Sequence, residues 1–287
     1  MNLTSPSQVK AWCIENGFHP NKVLGQNFLI DQNALKAIVD AGLAGRGELR
    51  AKSEGFRVLE IGPGLGVLTE EMLKRGCKVT AIEKDPVLAA RLAESLGNPP
   101  NLTVIADDAL AWLSRASNRT IEQSEQSEQS NNSSFACMIS NLPYQAGTRI
   151  LLDLVKAHEL RSMTVLVQTE VAERLAAGPG TKTRGLAGVW AQLDYDVKIV
   201  RKVAASCFWP RPEIGSSVVR LDRHDRNLAL SEEERDVFHR LTKQAFEHRR
   251  KQLGSIFKDL IQSTARAEEL SNEDWIELVK GLCHEDT

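Results

Sequence analysis

Glu60-Ile61-Gly62-Pro63-Gly64-Leu65-Gly66 follows the apolar run that begins at Arg57 and leads into the amphipathic stretch Gly66–Arg75. A strand that ends in a glycine-rich turn and then a helix is the opening unit of a mostly parallel α/β sheet. Glycines at such a turn permit left-handed backbone angles and let a ligand come close to the main chain. The spacing is G-x-G-x-G, with Val67 where the dinucleotide pattern G-x-G-x-x-G would place its last glycine. No Lys-Ser/Thr pair follows, so the turn is not a phosphate-gripping P-loop.

Outward from this turn the alternation continues. Lys78–Glu83 reads as a second strand, with Pro86 near the start of the next helix, where its missing N–H costs little. Leu102–Asp107 and Phe135–Asn141 read as the third and fourth strands, the latter stopped by Pro143. Ile150–Val155 is a helix, Met163–Gln168 a fifth strand, and Tyr195–Val203 with Ser216–Leu221 an expected antiparallel pair that closes the sheet. Glu122–Ser134, EQSEQSEQSNNSS, is a polar repeat with nothing to bury and reads as a surface insertion. After Leu221 the pattern is helical only, with capping patterns at Ser231/Glu234 and Ser271/Asp274. The expected organisation is a catalytic domain over 1–221, carrying the insertion at 122–134, and a small helical domain over 222–287.

Composition narrows the function. The 287 residues carry a net charge of −2, distributed unevenly. Residues 198–258 hold 14 Lys and Arg against 8 acids, whereas residues 259–287 hold 2 against 8. A basic block inside a near-neutral chain is the footprint that phosphate recognition requires, although solvated basic helices are also common. The five cysteines are scattered without a CxxC pair or a histidine at ligand spacing, which points to free thiols and no metal site. No apolar run is long enough for a membrane span, and the N-terminus lacks the basic-then-apolar pattern of a signal peptide, so a cytoplasmic protein is expected.

Open parallel sheets bind ligands at the carboxyl ends of their strands. Gly62 and Gly64 sit at the first such end, Glu83 at the second, 21 residues after Gly62, and Asp108 at the third. A carboxylate at Glu83 can accept from both hydroxyls of a ribose, and Asp108 can accept from an adenine amine. The fourth end presents Asn141-Leu142-Pro143-Tyr144. The lone pair of an exocyclic adenine amine is delocalised into the ring, which makes it a poor nucleophile. The Asn141 amide oxygen and the Leu142 carbonyl can both accept from that amine and draw it toward tetrahedral geometry. Pro143 stiffens the loop and Tyr144 offers an aromatic face.

These blocks together resemble the ribosomal RNA adenine N6,N6-dimethyltransferases, and within them the bacterial small-subunit group. The resemblance runs from Leu24-Gly25-Gln26-Asn27-Phe28-Leu29 through Glu60–Gly66, Glu83, Asp108 and Asn141–Tyr144. It continues through Gln168–Leu175, Ala177-Gly178-Pro179, Cys207–Pro212 and Ser217–Leu221 to Ala245-Phe246 and Arg249-Arg250-Lys251. The resemblance implies a Rossmann-like methyltransferase sheet and S-adenosylmethionine bound at Asn27, Leu29, Gly62, Glu83, Asp108 and Asn141. It also implies a target base stacked between Tyr144 and Phe208, and two methyl groups on one nitrogen. Arg211, Arg220, Arg223, Arg249, Arg250 and Lys251 are the expected phosphate contacts to small-subunit ribosomal RNA, with the chain a monomer active in ribosome biogenesis. The sequence departs from the family pattern at Thr169, at Gln145-Ala146-Gly147, at Ala204-Ala205 and in the polar repeat. A methyltransferase of large-subunit RNA and a non-catalytic RNA-binding factor are the competing readings.

Overall fold

The computed structural model describes residues 1–21, 24–44, 56–122, 135–157, 160–226, 230–258 and 260–284, so the polar repeat at 123–134 lies outside the described residues. The chain begins with helix α1 (Pro6–Glu15), the two-residue strand β1 (Phe28–Leu29) and helix α2 (Gln32–Leu43). The expected alternation follows as β2 (Arg57–Ile61), α3 (Val67–Lys74), β3 (Lys78–Glu83), α4 (Pro86–Ser95), β4 (Leu102–Ala106) and α5 (Ala109–Glu122). It goes on through β5 (Cys137–Asn141), α6 (Gly147–Ala157), β6 (Ser162–Gln168), α7 (Thr169–Ala176) and α8 (Leu186–Asp194). The remaining elements are β7 (Tyr195–Val203), β8 (Phe208–Trp209), β9 (Ser216–Arg223), α9 (Glu232–Glu247), α10 (Leu253–Ile256) and α11 (Asn272–His284).

Local chemistry explains where the helices start. Pro86 occupies the first turn of α4, and the Asp85 carboxylate accepts from the amides of Val87 (2.9 Å) and Leu88 (3.3 Å). Ser231 and Glu234 form the reciprocal capping box read from the sequence, the Ser231 hydroxyl accepting from the Glu234 amide and the Glu234 carboxylate from the Ser231 amide. Ser271 and Asp274 repeat the arrangement at α11, with the Ser271 amide donating to Asp274 at 2.7 Å.

The chain divides into two compact units. The first comprises 1–169 and 199–222 and contains the sheet, whose strand order is β4-β3-β2-β5-β6-β9-β7. The pairs β2/β3, β3/β4, β2/β5 and β5/β6 are parallel, and β9 runs antiparallel to β6. Leu35, Ile38 and Val39 of α2 share one apolar core with Val58, Val79, Ile139 and Leu166 of the strands.

The second unit comprises 170–198 together with 223–287. The compact helical part therefore reaches back beyond the boundary expected at 222 and takes in α8. The reason is packing: Val189 and Leu193 of α8 share one apolar core with Phe238, Leu241, Leu253 and Trp275. Polar contacts bind the same segments, since buried Arg184 donates to the Asn272 side chain at 2.9 Å and the Trp190 indole to Thr242 at 3.0 Å. Truncating either partner of this core has a common consequence. Leu193→Ala should destabilise the protein by about 2–5 kcal/mol and Phe238→Ala by about 3–5 kcal/mol. Urea unfolding followed by tryptophan fluorescence should show both shifting the same transition.

Candidate active site

The sheet order reverses between β2 and β5, so the loops that leave these two strands diverge and open a crevice at their carboxyl ends. The turn after β2 is drawn toward β3 by a hydrogen bond from the Gly62 amide to the Ile82 carbonyl (2.9 Å). Gly64 stands at φ +58°, and a Cβ there would meet the Phe28 ring at 3.1 Å. Both the left-handed angle and the close ring call for glycine.

The resulting cleft brings together Asn27, Leu29, Gly62, Gly64, Glu83, Asn141, Leu142, Pro143 and Tyr144. All of these were singled out from the sequence. Its polar side chains are held in place. The Glu83 carboxylate, 7% exposed, accepts from the Gly64 amide (3.0 Å) through one oxygen and from the Asp85 amide (2.9 Å) through the other. Each oxygen keeps a further lone pair for a diol. Burial pushes the Glu83 carboxyl above its ordinary range, and the two amide donors oppose the shift.

The Asn141 amide nitrogen donates to the Asn27 carbonyl at 3.2 Å, which leaves the side-chain oxygen for an incoming donor. The loop beyond it is pinned by the Leu142 amide on the Leu166 carbonyl (3.2 Å) and by the Gly147 amide on the Pro143 carbonyl (2.7 Å). Tyr144 is half-buried, its hydroxyl 2.8 Å from that of Ser216. Burial raises the Tyr144 pKa, with the Ser216 bond acting against it, so the phenol stays neutral.

Asp108 lies in an adjoining cleft lined by Lys84, Ala109, Gln145 and Ile150, which meets the first at Leu24, Gly62 and Pro143. Its carboxylate accepts from the Leu110 amide (2.9 Å) and pairs with Lys84 (2.8 Å). Lys84 is the main reason that its pKa is lowered. Each of the two clefts thus carries an acid at a strand end, Glu83 in the first and Asp108 in the second.

Several lining groups were not singled out by the sequence reading. Phe28 faces Gly64, and Gln26 donates to Asp85 at 2.8 Å, tying the N-terminal segment to the turn after β3. Glu60 lines the cleft at 1% exposure and accepts from Thr69 at 2.6 Å. Its signal was visible as an acid inside an otherwise apolar strand.

Two expected site residues are committed elsewhere. Phe208 pairs with Leu29 across the β1/β8 ribbon and is 2% exposed, packed with Leu29, Leu166, Val203 and Val218. Its ring lines neither cleft, because the ribbon turns it into the core and leaves the neighbouring Trp209 to stack on Phe28. Arg220 grips Asp222 through two bonds of 2.7 Å and donates to the Ala41 and Ala44 carbonyls at the end of α2. It closes the helix rather than facing solvent. Arg249 donates to the Lys182 carbonyl (2.6 Å), and Arg223 is half-buried, whereas Arg211, Arg250 and Lys251 are exposed.

The sheet order and the strand-end cleft define a Rossmann-like class I methyltransferase. A dimethyladenosine transferase from Plasmodium falciparum shares the fold, with a TM-score of 0.69 at 21% identity over 90% of this chain and 98% of that one. The 23S rRNA methyltransferase ErmE shares it at a TM-score of 0.63 and 23% identity over 90% of this chain and all of that one, 100%. The ribosomal RNA adenine dimethylase profile matches residues 17–280, and the chain belongs to that family. It is 38% identical over 252 residues to ribosomal RNA small subunit methyltransferase A of Alkaliphilus oremlandii, covering 88% of this chain and 82% of the relative. The protein of the same name from Deinococcus radiodurans is 44% identical over 220 residues, or 77% and 67% of the two chains.

The burial of Phe208 separates packing from base stacking. Phe208→Leu should cost less than Phe208→Ala, for which about 3–5 kcal/mol is expected, and should leave turnover near normal. A folded Phe208→Leu protein with normal stability and little turnover would return the ring to the target base.

Proposed function

We propose that the protein transfers methyl groups from S-adenosylmethionine to the N6 amine of adenines in small-subunit (16S) ribosomal RNA. By family resemblance the product is N6,N6-dimethyladenosine at two adjacent adenines. The observation that carries this reading is the tethered Asn141, whose amide nitrogen is spent on Asn27 while its oxygen is left at the cleft.

The residues present fit the cofactor. Among the described residues, the first cleft is lined by the carboxyls of Glu60 and Glu83 and by no Lys, Arg or His, which suits a cationic nucleoside and disfavours a pyrophosphate. Asn27, Leu29, Gly62, Gly64, Glu83 and Asn141 would hold it, with Asp108 accepting from its adenine. When bound, the cofactor supplies an electrophilic methyl carbon on a sulfonium.

What this chain adds is position and electrostatics. The Asn141 oxygen and the Leu142 carbonyl accept the two hydrogens of the target amine and release its lone pair from the ring. Pro143 keeps that carbonyl in place, and the Tyr144 ring stacks on the base, a contact of about 1–3 kcal/mol. Stacking repays part of the few kcal/mol needed to take an adenine out of its stack. The methylated nitrogen is acidic and loses its proton to water, so Tyr144 can remain a neutral phenol throughout.

The exposed cations of the second unit, Arg250 and Lys251, would meet RNA phosphates, as would Arg211 of the first. The particular target rests on the curated relatives, which are named for the small subunit. Such a protein would act as a monomer in the cytoplasm, where ribosomes assemble. Among the described residues no helix is long and apolar enough to cross a membrane.

Labelled methyl transfer to purified, unmethylated small and large subunits, followed by nucleoside analysis, tests the assignment. Dimethyladenosine in small-subunit RNA alone is expected, and label in the large subunit would overturn it. Asn141→Ala should lower kcat by about a hundredfold or more, with much less effect on cofactor affinity. Reversing Arg250 and Lys251 to Glu should weaken RNA binding across sequences. The slope of log affinity against log salt should fall by about 0.7–0.9 for each phosphate that is no longer neutralised. An unchanged slope would make these cations a solvated face.

A further inference from the structure

Strand β2 reads Arg57-Val58-Leu59-Glu60-Ile61, and Glu60 is an acid in its buried part, 1% exposed. A buried carboxylate is costly unless it meets a counter-charge and several donors. The structure provides Glu60 with one neutral donor, the Thr69 hydroxyl of α3 at 2.6 Å. The other described groups that line the cleft do not neutralise it. The end of β3 contributes Glu83, a second acid, which acts on Glu60 unfavourably. The loop after β5 contributes Asn141 and Tyr144, and the N-terminal segment contributes Gln26 and Asn27, all uncharged.

Three cations of the neighbouring elements are engaged elsewhere: Lys84 with Asp108 (2.8 Å), Lys74 with Glu70 (2.8 Å) and Arg75 with Glu71 (2.9 Å). Burial first, with Glu83 adding to it and Thr69 opposing, pushes the Glu60 carboxyl up to about 8. With nothing bound, Glu60 is therefore largely protonated at neutral pH.

We propose that Glu60 is a cation-responsive acid of the cofactor cleft. It gives up its proton when the sulfonium cofactor enters, so that charged cofactor and uncharged product are told apart by charge as well as shape. The inference rests on the cofactor reading above. In the cofactor the ammonium and carboxylate of the methionyl end cancel, which leaves the net positive charge of the sulfonium. Its arrival supplies a counter-charge that none of the described lining residues offers. The O–H bond of Glu60 breaks, the electron pair stays on the oxygen, and the proton passes to buffer while Thr69 goes on donating. Methyl transfer turns the sulfonium into a neutral thioether. The Glu60 carboxylate then loses its counter-charge and takes a proton back from solvent, which loosens the hold on the spent cofactor.

Proton linkage fixes the sign: binding that releases a proton strengthens as pH rises toward the pKa of the free group. Calorimetry with S-adenosylmethionine and S-adenosylhomocysteine, in phosphate and in Tris between about pH 6 and 8, reads this directly. The native protein should release up to one proton per sulfonium bound, with log affinity rising by as much as about one per pH unit. The thioether should give a shallower slope, and Glu60→Gln should flatten the sulfonium slope to that of the thioether. Protons taken up by the ligands' own amino groups are common to both proteins and cancel in this comparison. An unchanged slope in Glu60→Gln, or equal release for both ligands in the native protein, would overturn the proposal. If circular dichroism shows that Glu60→Gln does not fold, the two-ligand comparison in the native protein below about pH 7, where both ligand amines stay protonated, decides alone. Failure of both ligands to bind the native protein would instead remove the cofactor reading and this inference with it.

Discussion

The reversal of strand order between β2 and β5 is the constraint on which the rest of the site depends. Parallel strands end at one edge of the sheet, and only where neighbouring connections run in opposite directions does that edge open into a crevice. Here the glycine turn after β2 stands on one side of the opening and Asn141–Tyr144 on the other. The segment before β1 spans both. Its Asn27 carbonyl takes the Asn141 amide, and its Gly25 lies so close that a Cβ would meet the Tyr144 amide nitrogen at 3.1 Å. Backbone at the N-terminus thereby sets the orientation of a side chain 114 residues away.

Charge shapes what the crevice accepts. Among the described residues, the cleft between these loops is lined by two carboxyls and no base, in a place where burial strengthens every electrostatic interaction. Glu83 is used twice, since its carboxylate organises the Gly64 and Asp85 amides before any ligand needs it. Asp108 is similarly engaged with Lys84 and with the first turn of α5, so its charge is secured and its position preset. A site whose acceptors are already oriented needs little reorganisation when a substrate arrives.

The groups committed to the fold are equally informative. Arg220 belongs by composition to the basic block, yet its guanidinium joins Asp222 to the last carbonyls of α2. Phe208 belongs by motif to the reactive centre, yet strand pairing with Leu29 places it in the apolar core. Other cations of the same block, such as Arg250 and Lys251, remain exposed.

Much of the protein could be read without its structure, because the relevant signals are local. The strand-turn-helix rhythm, the glycine spacing, the acids at strand ends and Asn141–Tyr144 are short-range patterns that dictate backbone conformation by themselves. They located the sheet and the strand ends that border the cleft closely, and the capping patterns at Ser231 and Ser271 located two helices. Tertiary structure alone decided which side chains are spent on the fold. Glu60 sits against Thr69, Arg220 against Ala41 and Phe208 beside Leu29, and α8 shares the core of Trp275 from a distant part of the chain. Spacing along the chain tells which way a side chain faces on its own helix or strand. Whether that face meets another element or a ligand depends on partners that only the folded chain brings within reach.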